Sequence, residues 1–202
     1  MELPIPQFGP LVDQNLFDLL LDDCNNGIIT FRNAKAHTIV TELVGENTLK
    51  LNEIYQPEEE LVLATATVQT TPALPGKPFL PYSTWHADVG NQYPEILVAD
   101  IQPPEVLSGT IMANPSLSEG TKHPDDPAVY PDNFIRWVNF LTKEELETKG
   151  LSIYQGKSFQ PLIQDKHLIH RSPKNKAPEL VFRSLLTGIF LPKSLFEHYS
   201  TS

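Results

Sequence analysis

Nineteen prolines in 202 residues, spread along the chain, constrain its fold more than any other feature. Proline fixes φ and lacks an N–H, so it breaks helix interiors and is kept out of central ladders. Long helical bundles are disfavoured, and short elements joined by many connections are favoured. Between the prolines the chain is rich in Val, Ile and Thr, the residues that suit a pleated, half-buried surface. Residues 28–31, 37–44, 49–55 and 61–70 are expected strands, punctuated by Gly, Asn, Pro and Glu. Further strand character returns at 95–101, 109–113, 151–154, 158–163, 167–172 and 180–191. The first of these is apolar enough to be central. A succession of short strands points to a sandwich or jelly roll.

Helical signals are few. Asp13 can cap a helix whose Leu16, Phe17, Leu20 and Leu21 form one apolar stripe, ended by Asn25-Asn26-Gly27. Thr142 with Glu145 makes a capping box for a short helix to Lys149, stopped by Gly150. Residues 134–141 fit helix or strand, and 195–199 read as a short helix or tail. Residues 71–81, with four prolines, form a rigid connection, and 114–132 are dense in Pro, Ser, Gly and Asp. Long loops in small domains are often lids. The expectation is a single domain over 1–202 with a lid or insert at 114–150.

A formal charge of −10 without any basic run disfavours nucleic acid, whose phosphates attract clustered Lys and Arg. The one cysteine, Cys24, cannot close an internal disulfide. The N-terminus lacks a basic start and an apolar signal core, and no apolar run is long enough to cross a bilayer. These features predict a cytoplasmic, soluble protein without a membrane partner, in a reducing compartment.

Chemistry concentrates in Ser83-Thr84-Trp85-His86-Ala87-Asp88-Val89-Gly90. Strand side chains alternate with period two, so His86 and Asp88 would share a face. One imidazole and one carboxylate form part of a metal site, and a second histidine from elsewhere would complete two-His-one-carboxylate, a set suited to non-haem Fe(II). A second His-x-Asp, His123-Pro124-Asp125, carries a proline that precludes an ordinary ladder strand. His37, alone at an expected strand start, reads as structural.

His86-x-Asp88, a long gap, His170 and then Arg183 thirteen residues further on resemble the pattern of the Fe(II)/2-oxoglutarate-dependent oxygenases. His167 lies three residues before His170, on the other face of a regular strand, and the Arg171-Ser172-Pro173 after His170 resembles the family's exit from that strand. The chain departs from some branches in having Ser184 directly after Arg183, and the long gap requires an insertion.

The resemblance implies a mainly β double-stranded β-helix, or jelly roll, with a few flanking α-helices. It implies Fe(II) on His86, Asp88 and His170, with 2-oxoglutarate chelating the metal and anchored on Arg183. Burying an Arg on an apolar strand face is costly without an anion, and a carboxylate meets guanidinium in bidentate fashion. An internal salt bridge is the structural alternative. Tyr82, Trp85 and Arg171 are expected around a substrate pocket. The implied reaction is hydroxylation of a small molecule, amino-acid-like or a specialised metabolite, by molecular oxygen with release of succinate and CO2. Asp88 speaks against halogenation. Two other readings fit the same residues: a cupin-like metal enzyme without 2-oxoglutarate, and a non-catalytic β-sandwich binding module.

Overall fold

A computed structural model describes residues 7–24, 26–79, 86–87, 94–102, 111–114, 136–137, 152–164 and 169–201. In chain order these form β1 (Gln7–Phe8), α1 (Gln14–Asp23), β2 (Gly27–Thr30), α2 (Ala34–Leu43), α3 (Gly45–Tyr55), β3 (Leu61–Ala73), β4 (His86–Ala87) and β5 (Glu95–Gln102). There follow β6 (Ile111–Asn114), β7 (Arg136–Trp137), β8 (Ser152–Gln155), β9 (Leu162–Gln164), β10 (Ile169–Arg171), β11 (Val181–Pro192) and α4 (Lys193–Thr201). The described chain is mainly antiparallel β, with four helices.

Two sheets carry the strands, one in the order β1-β9-β5-β11-β3-β2 and the other in the order β7-β4-β10-β6-β8. Antiparallel pairs join β3 to β11, β4 to β10, β5 to β9 and β6 to β8. These pairs nest one inside the next along the chain and alternate between the two sheets. The topology is that of one long hairpin doubled over on itself.

The helices α1 to α3 cover one face of the six-stranded sheet. Phe17 and Leu20 from α1, Ile39, Val40 and Leu43 from α2 and Leu51 from α3 join Ala66, Val68, Ile96, Val98, Leu186 and Phe190 in one buried cluster. Each Val, Leu, Ile or Phe among them contributes about 1.5–3 kcal/mol on burial. As the sequence predicts, the Asp13 carboxylate caps α1, accepting from the backbone N–H of Asn15 at 2.7 Å and of Leu16 at 3.3 Å. Asn26, at φ 56°, makes the turn into β2, and its Oδ1 accepts from the Thr70 N–H at 2.7 Å. The Asn52 amide ties α3 to the start of β3, donating to the Leu61 carbonyl at 3.1 Å and accepting from its N–H at 2.8 Å.

Two expectations are corrected. Residues 37–44 and 49–55, expected as strands, belong to helices α2 and α3. The β-branched Thr38, Ile39, Val40 and Thr41 weigh toward strand, yet Ala36, Ile39, Val40 and Leu43 recur at helical spacing and are buried against the sheet. Tertiary packing of that stripe overrides the local preference. Residues 158–161, expected to open a strand, form a turn with Phe159 at φ 60°, and β9 begins at Leu162. His37 therefore lies on α2, where Nε2 is 3.3 Å from the Leu63 carbonyl and the ring stacks on Phe196 of α4.

The expected lid at 114–150 lies outside the described residues except for Asn114, Arg136 and Trp137. The capping box at Thr142 and the second His-x-Asp also lie outside them. Among the described residues, no helix is long and apolar enough to cross a membrane.

Candidate functional site

Strand β4 brings His86 into the five-stranded sheet, where its register partner on β10 is His170. Residues directly opposite on antiparallel strands share a face, with Cα atoms about 4.5–5.5 Å apart. The two histidine positions, distant in sequence, are thus neighbours on one side of the sheet. The register extends across all five strands: Trp137 on β7 opposes His86, Met112 on β6 opposes His170, and Tyr154 on β8 opposes Met112. A single row therefore runs Trp137, His86, His170, Met112, Tyr154. Arg171 follows His170 on β10, so its position belongs to the opposite face. Asp88, Tyr82 and Trp85 lie outside the described residues. Among the described residues no group of three His, Cys, Asp or Glu side chains is placed to hold a metal ion, and Asp88 is not one of them.

Arg183 stands on β11 of the other sheet, with Thr71 of β3 and Ile101 of β5 as register partners. It is 1% exposed, and burial lowers the pKa of its guanidinium to about 10, so it remains a cation at neutral pH. Leu186 belongs to the cluster under the helices. Arg183, three residues away on the same strand, takes the alternate face with Leu185 and Thr187, as their spacing predicts. The same face holds a cavity of about 10 Å³, room for roughly one water, bordered by Leu97, Ala99, Leu162 and Leu185. Two carboxylates on β5 are also buried. Asp100 pairs in register with Ser184, which puts it on the face away from Arg183. Glu95 pairs with Ile189, six residues along the strand from Arg183 and so about 20 Å distant.

The connections that lead into β4 and out of β10 are fastened together. The buried Asn175 side chain donates to the carbonyl oxygens of Ala73 at 2.8 Å and Glu179 at 2.7 Å, and accepts from the Ala177 N–H at 2.8 Å. Its backbone N–H donates to the Lys77 carbonyl at 2.8 Å, and its carbonyl accepts from the Gly76 N–H at 2.9 Å. Gly76, at φ 72°, adopts the left-handed conformation that glycine tolerates. Pro78 bridges to Lys174, and Val181 packs with Ala73 and Phe79 just before Arg183. The sequence Lys174-Asn175-Lys176 reads as a solvated loop, yet Asn175 is 1% exposed. Buried Asn among prolines, where backbone groups lack ladder partners, is the signal that was available.

Sequence reasoning also missed Trp137, Met112 and Tyr154. Their place in the row comes from long-range pairing, which no local pattern encodes.

No family model matches the chain, and no curated protein matches it. Similar solved structures include ThoJ, a non-heme monooxygenase in its apo form, at 14% identity and a TM-score of 0.45, over 77% of this chain and 57% of that one. They also include EvdO2 from Micromonospora carbonacea var. aurantiaca complexed with 2-oxoglutarate, at 15% identity and a TM-score of 0.45, over 85% and 70%. A second EvdO2 structure has 16% identity and a TM-score of 0.38, over 95% and 68%. The chain thus spans 57% of the length of ThoJ.

Proposed function

We propose that this chain is a jelly-roll oxygenase that uses Fe(II) and 2-oxoglutarate to hydroxylate a small molecule. The observation that carries the reading is the register pairing of His86 with His170 on adjacent strands. Two imidazoles from neighbouring antiparallel strands, with a carboxylate two residues after one of them, suit the two-His-one-carboxylate arrangement. The nested pairing of β3 to β6 with β8 to β11 supports the jelly roll, an eight-stranded, two-sheet architecture.

His86, His170 and Asp88 would hold the iron, which when bound supplies oxygen activation coupled to oxidative decarboxylation of 2-oxoglutarate. Arg183 binds and orients the cosubstrate through its far carboxylate. Because the guanidinium is buried, water competes poorly for that carboxylate, and paired charge-assisted hydrogen bonds fix its orientation. The balance is one oxygen atom into the substrate C–H bond and one into succinate, with CO2 released. Two electrons come from the cosubstrate and two from the substrate. The substrate is amino-acid-like or a specialised metabolite, and the segment at 114–150 closes over it, with Tyr82 and Trp85 near the pocket.

The test is an anaerobic titration of apoprotein with Fe(II) and 2-oxoglutarate, following the visible charge-transfer band of the chelate. A band that fades in Asp88→Ala and Arg183→Ala is expected. Iron binding without the band would transfer the chain to the cupin-like reading. Failure of both to bind would leave a β-sandwich binding module.

A further inference from the structure

Resting on the oxygenase reading, we infer that the small cavity on the Arg183 face of the six-stranded sheet is a holding site for molecular oxygen. Phe8, Leu97, Ala99, Leu162 and Leu185 wall it, and its volume of about 10 Å³ admits one diatomic or water-sized guest but no organic ligand. Leu97, Ala99 and Leu162 are buried, and Phe8 and Leu185 pack against Leu97 and Leu162. A water held there needs two to four polar partners. The polar side chain at the wall is Gln160, whose Oε1 already accepts from the Lys157 N–H at 3.1 Å. The wall's backbone is engaged as well. Leu185 lies between Gln69 and Ala99 in the ladders, Leu97 lies between Thr187 and Leu162, and the Ala99 carbonyl accepts from the Phe159 N–H at 2.9 Å. An apolar guest forfeits no hydrogen bond in such a place, and small apolar cavities of proteins take up xenon.

Two small residues keep the space open. A larger strand residue in place of Ala99 would fill it, and a Cβ at Gly156 would fall 2.9 Å from Phe8 Cε1, displacing a ring that walls the cavity. Leu185 is two residues from Arg183 on β11, and Ala99 is two from Ile101, the register partner of Arg183. The cavity therefore begins about 7 Å along the strands from the cosubstrate anchor. Oxygen is apolar and partitions out of water into such space. A store one rung from the anchor raises its concentration where the proposed reaction consumes it.

Xenon is the probe. In protein carrying isotopically labelled Ala and Leu methyl groups, xenon under pressure should shift the methyls of Leu97, Ala99, Leu162 and Leu185 saturably. Ala36 and Leu51, in the cluster beneath the helices, should not move. Ala99→Val and Leu162→Phe each fill the cavity and should each abolish the saturable shift, so one suffices if the other fails to fold. No saturable shift, or one shared with Ala36 and Leu51, overturns the site. The oxygen assignment is read separately, by mixing anaerobic protein loaded with Fe(II) and 2-oxoglutarate with oxygen and following decay of the charge-transfer band. Either filling variant should need several-fold more oxygen for the same decay rate, with its 2-oxoglutarate affinity unchanged. An unchanged oxygen dependence overturns the assignment even where xenon binds. If xenon binds and the chelate band never forms, the oxygenase reading falls, and the oxygen role falls with it.

Discussion

His86 of β4 and His170 of β10 are register partners across one antiparallel pair, although they stand 84 positions apart in the sequence. If both hold one metal ion, His86→Ala and His170→Ala should each lower Fe(II) or Co(II) affinity by more than about 100-fold, beyond the 10–100-fold loss typical of outer-shell partners. The double variant should lose little more than either single one, because residues acting as a unit are not additive. Calorimetric titration of the three variants measures this.

Arg183→Ala should weaken 2-oxoglutarate while leaving metal binding in place. Two charge-assisted hydrogen bonds of about 1.5–3 kcal/mol each make a loss on the order of 100-fold or more the expected size. Competition between 2-oxoglutarate and succinate on the metal-loaded protein reads it directly.

The pH dependence of that affinity has a definite sign. Burial lowers the Arg183 guanidinium to about 10, so the cation that pairs with the carboxylate is present through neutral and mildly alkaline pH. Affinity for 2-oxoglutarate should hold from neutrality to about pH 9 and fall as pH rises through 10, since deprotonation removes the charge. An affinity that rises over that interval would contradict the role.

Asn175→Ala should destabilise the fold by about 3 kcal/mol, because it removes three side-chain hydrogen bonds and leaves the buried Ala73 carbonyl and the half-buried Ala177 N–H without them. A lower urea midpoint with an unchanged slope is the expected signature. Asn175→Asp should fare no better, since a carboxylate cannot donate to the Ala73 and Glu179 carbonyls.

Gly9 approaches α3 so closely that an added Cβ would fall 1.6 Å from Asn47 Oδ1. Gly9→Ala should therefore lower stability by about 1–3 kcal/mol, the usual range for overpacking. Asn47 is buried, so its side chain has little room to withdraw. Combining Gly9→Ala with Asn47→Ala should recover part of the loss, and a double-mutant cycle measures how much.

The long strands were legible because their patterns are local. Alternation from Val181 onward fixes β11, and the same alternation assigns Arg183 to the face away from Leu186. Helix α1 was equally readable, since Asp13 and the stripe through Phe17 and Leu20 are start signal and face in one short span. Helices α2 and α3 were not, because their β-branched residues become helical only through burial against a sheet built later in the chain. The row containing His86 and His170 depends on pairings between segments far apart in sequence. Motif spacing could nominate those histidines but could not place Trp137 beside them.

The nested hairpin has a consequence for how such a chain can diversify. Its outermost pair, β3 with β11, is the longest, so a residue added there shifts register over a dozen rungs. The stretch between β6 and β8 is the bend of the hairpin. Loop-closure entropy grows only with the logarithm of length, about 0.6 kcal/mol per doubling. New chain can be admitted at the bend with little loss of stability, and through β7 it arrives next to His86. Selectivity can then be rewritten by insertion at one address while the paired histidines are inherited unchanged.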